Sequence, residues 1–142
     1  MTANSPNLFA DAVASWHLAC RQACLENENC RDRYDAVVGV LITWLAENPA
    51  AARLYFGGLD ETEDPWLPTY VRDATSHLTR LIVEMSVAHD DLRNRTKIEF
   101  VIGACHELVR EELRRETVDH ARLAHRLTRF TPLLLSHDDG SR

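Results

Sequence analysis

His17, Cys20 and Cys24 are spaced by three and four residues, which puts an imidazole and two thiols on one stripe of a helix. Soft thiolates beside an imidazole suit Zn or Cu(I). The thiols must lose protons to bind a metal, so such a site would also respond to pH and to oxidants. The same spacing equally suits burial, with Cys20 and Cys24 as small core hydrophobes and His17 at their polar edge. No second Cys or His pair has matching spacing, so burial is the preferred reading and no metal or cofactor is expected. A second, wider set comprises Trp16, Cys20, Trp44, Tyr55, Tyr70, His77, Met85 and His89. Ligand pockets are mainly apolar with a few polar groups that fix orientation, and Trp, Tyr and His supply both characters. By type alone these eight residues fit both a filled core and a ligand-binding set.

Catalytic patterns are missing. The chain has no G-x-S-x-G elbow, no phosphate-cradling glycine loop and no H-E-x-x-H. His106-Glu107 begins like the last of these, but Arg110 stands where the second ligand would be. His120 and His125 are five apart, a poor fit to one helix face. The chain is therefore not expected to be an enzyme.

The elements that must position these residues read as helices. Ser5-Pro6 is a cap followed by a first-turn proline, and Phe9, Val13, Trp16, Cys20 and Ala23 then form one apolar stripe. A second helix is expected from about Arg31 to Glu47, with a broad apolar face that includes Tyr34, Val37, Val38, Leu41 and Trp44. Asn48-Pro49 should cap and start a short third helix, stopped by Gly57-Gly58. Residues 59 to 64 read as a loop. Asp64-Pro65 opens a long amphipathic helix to about His89. After a polar break at 90 to 95, a fifth helix should run from Thr96 to about Glu116. A last one should open at Thr117 as cap and carry Leu123, Leu127 and Phe130. Residues 136 to 142 read as a frayed tail. No period-two strand pattern or internal repeat occurs. The expected fold is all-α: an antiparallel bundle of about five long helices and one short helix, forming a single domain over 1–142.

Composition bounds the partners. At 142 residues the chain can bury roughly 70% of its unfolded surface without a staple. Its formal net charge of −6 lacks the basic excess that phosphate neutralisation demands, so DNA binding by this chain alone is not expected. No apolar run approaches the roughly 20 residues that span a bilayer, and the N-terminus does not read as a signal peptide. A cytoplasmic protein with four reduced thiols is expected.

The stretch Trp44-Leu45-Ala46-Glu47-Asn48-Pro49-Ala50-Ala51-Ala52-Arg53-Leu54 resembles a segment of TetR-family regulators, in which a hydrophobic helix ends in a P-x-x-A-R-L step. Pro49, Ala52, Arg53 and Leu54 fill that step. Ser5 to Val13 is similar to the family's first helix after its DNA-reading module, although Pro6 and Asn7 replace the usual Lys-Glu. Phe100 to Ala104 resembles the family's penultimate helix, with a small residue at Gly103. The resemblance covers the family's C-terminal part only, and the helix-turn-helix is absent from this chain. It implies a small-molecule effector held between helices, and a homodimer formed by the last two long helices. DNA would be reached only through the absent module. The effector is expected to be apolar or aromatic, and the pairing face is expected at Ile102, Gly103, Leu123, Leu127 and Phe130. A helical protein-interaction module, or a metal- or redox-sensing bundle on His17, Cys20 and Cys24, are the alternatives.

Overall fold

A computed structural model describes residues 6–57, 65–86 and 92–130, and among them every regular element is helical. These are α1 (Pro6–Leu25), α2 (Cys30–Glu47), α3 (Pro49–Phe56), α4 (Trp66–Ser86), α5 (Leu92–Leu113) and α6 (His120–Leu127), followed by a 3₁₀ turn at Thr128–Phe130. Four are long and two are short, where five and one were expected. No helix is long and apolar enough to cross a membrane among these residues.

The stripe of α1 is buried as its period requires: Phe9, Val13, Trp16, Cys20, Ala23 and Cys24 all lie in the core. Asn29 starts α2, because its side chain accepts the Asp32 N–H at 2.8 Å and satisfies one donor of the first turn. Asn48 does not cap α3 through its side chain as expected. Its backbone N–H and its Nδ2 both donate to the Trp44 carbonyl, so it closes α2 instead. Pro49 then opens α3 without wasting a donor. At Gly57 the backbone is right-handed, with φ −105°, but an added Cβ would stand 3.0 Å from the Arg53 carbonyl oxygen. The glycine there serves close approach.

Two boundaries differ from the sequence reading. The polar stretch before Thr96 is not a break throughout, since Leu92–Arg95 already form the first turn of α5. Charged and amide side chains without Gly or Pro do not end a helix. At the other end α5 stops at Leu113, and Asp119 rather than Thr117 caps α6 by accepting the Arg122 N–H at 2.9 Å.

Helix directions follow from named contacts. Trp44, near the end of α2, donates to the Ala12 carbonyl in the first half of α1, and Arg33, near the start of α2, donates to the Asn27 carbonyl just past the end of α1, so α1 and α2 are antiparallel. Phe9 meets Trp66 and Tyr70, whereas His17 meets His77, so α4 runs in the same direction as α1. The bundle is therefore not antiparallel throughout. The short α3 lies between α2 and α4 in the chain and packs on α5.

Between α5 and α6 the hinge is electrostatic. Glu112 is 0% exposed. Its carboxylate accepts the Asp119 N–H at 3.0 Å and two N–H groups of Arg122 at 2.7 and 3.3 Å, with Arg115 3.6 Å away. A buried carboxylate persists only with such partners. This clamp seats α6 against α5 and α2, with Leu123 and Leu127 fully buried in the chain's own core. Those two leucines were expected on the pairing face. They offer no surface to a second copy, because α6 is short and its apolar side is used up internally.

The Arg122 hydrogen bonds hold the Glu112 carboxyl below its ordinary 4.5, against the opposing effect of burial. A lowered folded value means that its stabilisation is complete above about pH 4.5 and is lost as pH falls through the folded value. Glu112→Ala should cost about 1–3 kcal/mol at pH 7 by leaving the Asp119 N–H and the guanidinium without an acceptor. In urea melts the gap between wild type and Glu112→Gln should shrink as pH drops below about 4.5. A gap independent of pH would mean that the carboxylate charge is not what holds α6.

Candidate functional site

A cavity of about 110 Å³ lies inside the bundle, with lining residues from all six helices. Its walls are Val37, Val38 and Leu41 of α2, Leu78 and Ile82 of α4, and Ile98, Val101, Ile102 and Val109 of α5. Trp16, Tyr55 and Phe56 bring aromatic rings to it, and Leu127 reaches it from α6. An engineered apolar cavity of roughly 150 Å³ holds one benzene, whereas drug-sized ligands occupy roughly 300–1,000 Å³. This space therefore suits a single small ring or a short chain unless side chains move.

The periodicity of three helices explains the lining. Val37, Val38 and Leu41 recur at one- and three-residue steps on α2, and Leu78 and Ile82 lie one turn apart on α4. Ile98, Val101, Ile102, Cys105 and Val109 recur at steps of three, one, three and four residues on α5, which keeps them on one face. Each stripe is an ordinary core stripe. The cavity arises where the three converge without filling the space between them.

Polar groups in the lining are few and mostly neutral. The Tyr34 hydroxyl donates to the Leu127 carbonyl and stands 3.5 Å from the Cys105 sulfur, and burial pushes its pKa far above 10. Tyr55 and Thr75 share a 2.6 Å hydroxyl hydrogen bond, and burial carries the Tyr55 phenol up to about 12. His106 packs on Phe56 with ring centroids 4.8 Å apart. Burial takes its pKa below 6.5 despite the neighbouring Glu107, so it is a neutral imidazole at neutral pH. The Cys24 and Cys105 thiols are raised by burial and stay protonated. Among the described residues Arg33 is the one charged residue in the lining, and it donates to the carbonyls of Asn27 and Met85.

Of the eight residues expected to bind ligand, Trp16 and Tyr55 line this cavity. Trp44 is buried one layer behind, stacked on Trp16 at 4.8 Å with its N–H donated to the Ala12 carbonyl at 2.9 Å. Cys20 is fully buried and outside the lining. Tyr70 sits against Phe9 and Trp66, near the start of α4. His77 is exposed and stacks over His17, with ring centroids 6.5 Å apart. Met85 contributes its carbonyl to Arg33 but does not line the cavity, and His89 lies outside the described residues. Sequence reasoning missed Arg33, Cys105 and His106 as lining residues and took Tyr34 only as part of an apolar face. The signal for Tyr34, Val37 and Leu41 was the unusual width of the α2 face. Nothing in the spacing of His106 marks it as facing an interior space.

His17, Cys20 and Cys24 share a helix stripe as expected, but no three His, Cys, Asp or Glu side chains gather as a metal-binding group among the described residues. Burial first, and Cys24 second, lift the Cys20 thiol to about 12. Burial, then repulsion by His77, lowers His17 to about 4. Neutral thiols packed in a core are poor ligands and poor nucleophiles. A separate hollow at Arg93, Thr96, Lys97 and Phe100 is formed by one helix alone and is open to solvent.

The chain finds no match among family models, curated proteins or solved structures.

Trp16 and Trp44 offer an internal comparison. Both indoles are buried, yet the Trp16 N–H has no hydrogen-bond partner while that of Trp44 is bonded. Trp44→Phe should therefore destabilise the protein by about 1 kcal/mol more than Trp16→Phe in urea unfolding. Equal losses would mean that the Trp16 N–H is satisfied in solution.

Proposed function

We propose that this chain is the ligand-sensing and dimerisation domain of a TetR-like transcriptional regulator, and that its effector is a small apolar or aromatic molecule held between the helices. The cavity between α2, α4 and α5 is the observation that carries this reading. Its walls are mainly carbon, bordered by Trp16, Tyr55 and Phe56, and carry few hydrogen-bonding groups. The resemblance at Trp44 to Leu54 and at Phe100 to Ala104 supports the regulatory role.

The mechanism is linkage. A ligand that fits one arrangement of α2, α4 and α5 better than another shifts the population toward it. α5 is the element through which this reaches a partner. Its inner stripe lines the cavity, while Phe100 (66% exposed) and Gly103 face outward. The pairing surface on this reading is the outer face of α5; Ile102, expected on it, lines the cavity instead, and Phe130 is half-buried on the turn after α6. In a full regulator, movement of α5 would change the separation of two DNA-reading heads.

Saturating toluene should raise the melting temperature by a few degrees, the effect of a ligand well above its Kd. Val37→Phe, which projects a ring into the cavity, should abolish that rise. No stabilisation of the wild type by toluene sinks the cavity reading. The dimer is tested separately at Gly103, where an added Cβ meets nothing within 4 Å in the chain itself. Gly103→Trp should leave the fold intact by circular dichroism but give a smaller mass by light scattering. An unchanged dimer mass would remove Gly103 from the interface.

A further inference from the structure

We infer that α5 packs antiparallel against α5 of a second copy of this chain, with Arg93 and Lys97 of each copy facing Glu111 and Glu107 of the other. This deepens the pairing surface proposed above and rests on it. The observation behind it is the order of charge along one outward seam of the helix. Arg93, Lys97, Phe100, Ala104, Glu107 and Glu111 follow one another at steps of four, three, four, three and four residues. That alternation lets one helix present a continuous line to another. All six residues are exposed or half-buried, and none of them lines the cavity.

The seam is its own complement. It begins with two basic residues, passes through a ring and a small side chain, and ends with two acidic residues. In a two-fold interface residue i meets residue j and j meets i. Antiparallel pairing centred between Phe100 and Ala104 sets Arg93 opposite Glu111, Lys97 opposite Glu107, and Phe100 opposite Ala104. Each large ring then faces a small residue, which leaves room for it to insert. Parallel pairing would set every residue against its own copy, and like charges held together oppose association. An acidic partner of another kind would satisfy Arg93 and Lys97 but be repelled by Glu107 and Glu111. Only a surface with the reversed order of charge suits both ends, and this chain carries one.

These charges are available to a partner. Neither Arg93 nor Lys97 makes an ion pair among the described residues. The Glu107 side chain is 70% exposed and stands 3.9 Å from Arg110, beyond hydrogen-bond distance. Glu111 accepts from Arg126 through one oxygen at 3.0 Å and keeps the other. Phe100, 66% exposed, sits near the middle of the seam. Glu99 is also exposed, but it lies about 100° round the helix from Phe100 and so stands off the seam.

The test uses the full chain in two charge-reversed forms, Lys97→Glu and Glu107→Lys, each checked for helicity by circular dichroism. Either change alone sets like charges at both symmetry-related contacts and should weaken the dimer about tenfold in sedimentation over a concentration series. An equimolar mixture, with one variant labelled with 15N, should form a 1:1 heterodimer within about threefold of wild-type affinity, because the two reversals then face each other. If a variant does not fold, the wild type answers by carbodiimide cross-linking of labelled and unlabelled chains. Lys97 should join Glu107 between chains, since within one chain they stand about 15 Å apart along the helix. Undiminished dimers of both variants, or a mixture no tighter than its parts, overturn the antiparallel seam and leave a dimer of another geometry. A wild type that stays monomeric and gives no such cross-link overturns the seam together with the proposed pairing surface, whereas the cavity reading still stands or falls on toluene.

Discussion

Trp16 and Trp44 stack across the seam between α1 and α2 at a centroid separation of 4.8 Å, and the other helices take their places around that contact. The bond from the Trp44 N–H to the Ala12 carbonyl fixes the register of the two helices. Tyr55 then meets Trp16 edge-on at 5.0 Å, and Phe56 lies alongside, so the short α3 is held at one end of the seam. Aromatic pairs of this kind contribute beyond their buried area because their geometry is specific. The rings are large and rigid, and Trp16, Tyr55 and Phe56 reach the edge of the cavity. The aliphatic stripes of α2, α4 and α5 converge less completely, and the cavity is what remains.

Burial holds the interior in its neutral state. Cys20, Tyr34 and Tyr55 are shifted up and His17 and His106 down, each with desolvation as the leading cause. Nucleophilic or general-base chemistry needs an ionised or readily ionised group beside its partner. The thiols here are moved away from their nucleophilic form, and the two imidazoles are held neutral. Glu112 and Arg33 have different supports. Glu112 is met by a backbone N–H and an arginine fork, whereas Arg33 leans on two backbone carbonyls.

The same electrostatic clamp bears on assembly. With Glu112 drawing α6 inward, Leu123 and Leu127 complete the chain's own core, and the outward apolar surface of this region passes to Phe100 on α5. A surface made from a large ring next to Gly103 and Ala104 permits close approach of another helix. On the proposed reading, one helix thus presents its inner stripe to the ligand and its outer stripe to a second copy.

The sequence by itself determined the helical class and most helix starts, because stripes at three- and four-residue spacing and the Pro and Asn signals are local. It also determined that Trp16 and Tyr55 would be interior. The direction of α4 relative to α1, the role of Asn48 at the end of α2, and the inward docking of Leu123 and Leu127 were decided only by tertiary structure. A stripe records that a face is covered and does not record by what. Whether Leu127 meets its own chain or a second copy depends on a clamp between Glu112 and Arg122, ten residues apart across a turn. Whether His106 meets solvent or a cavity depends on how nearly three helices close. Both are properties of the assembled chain, settled by distances between elements that no local spacing encodes.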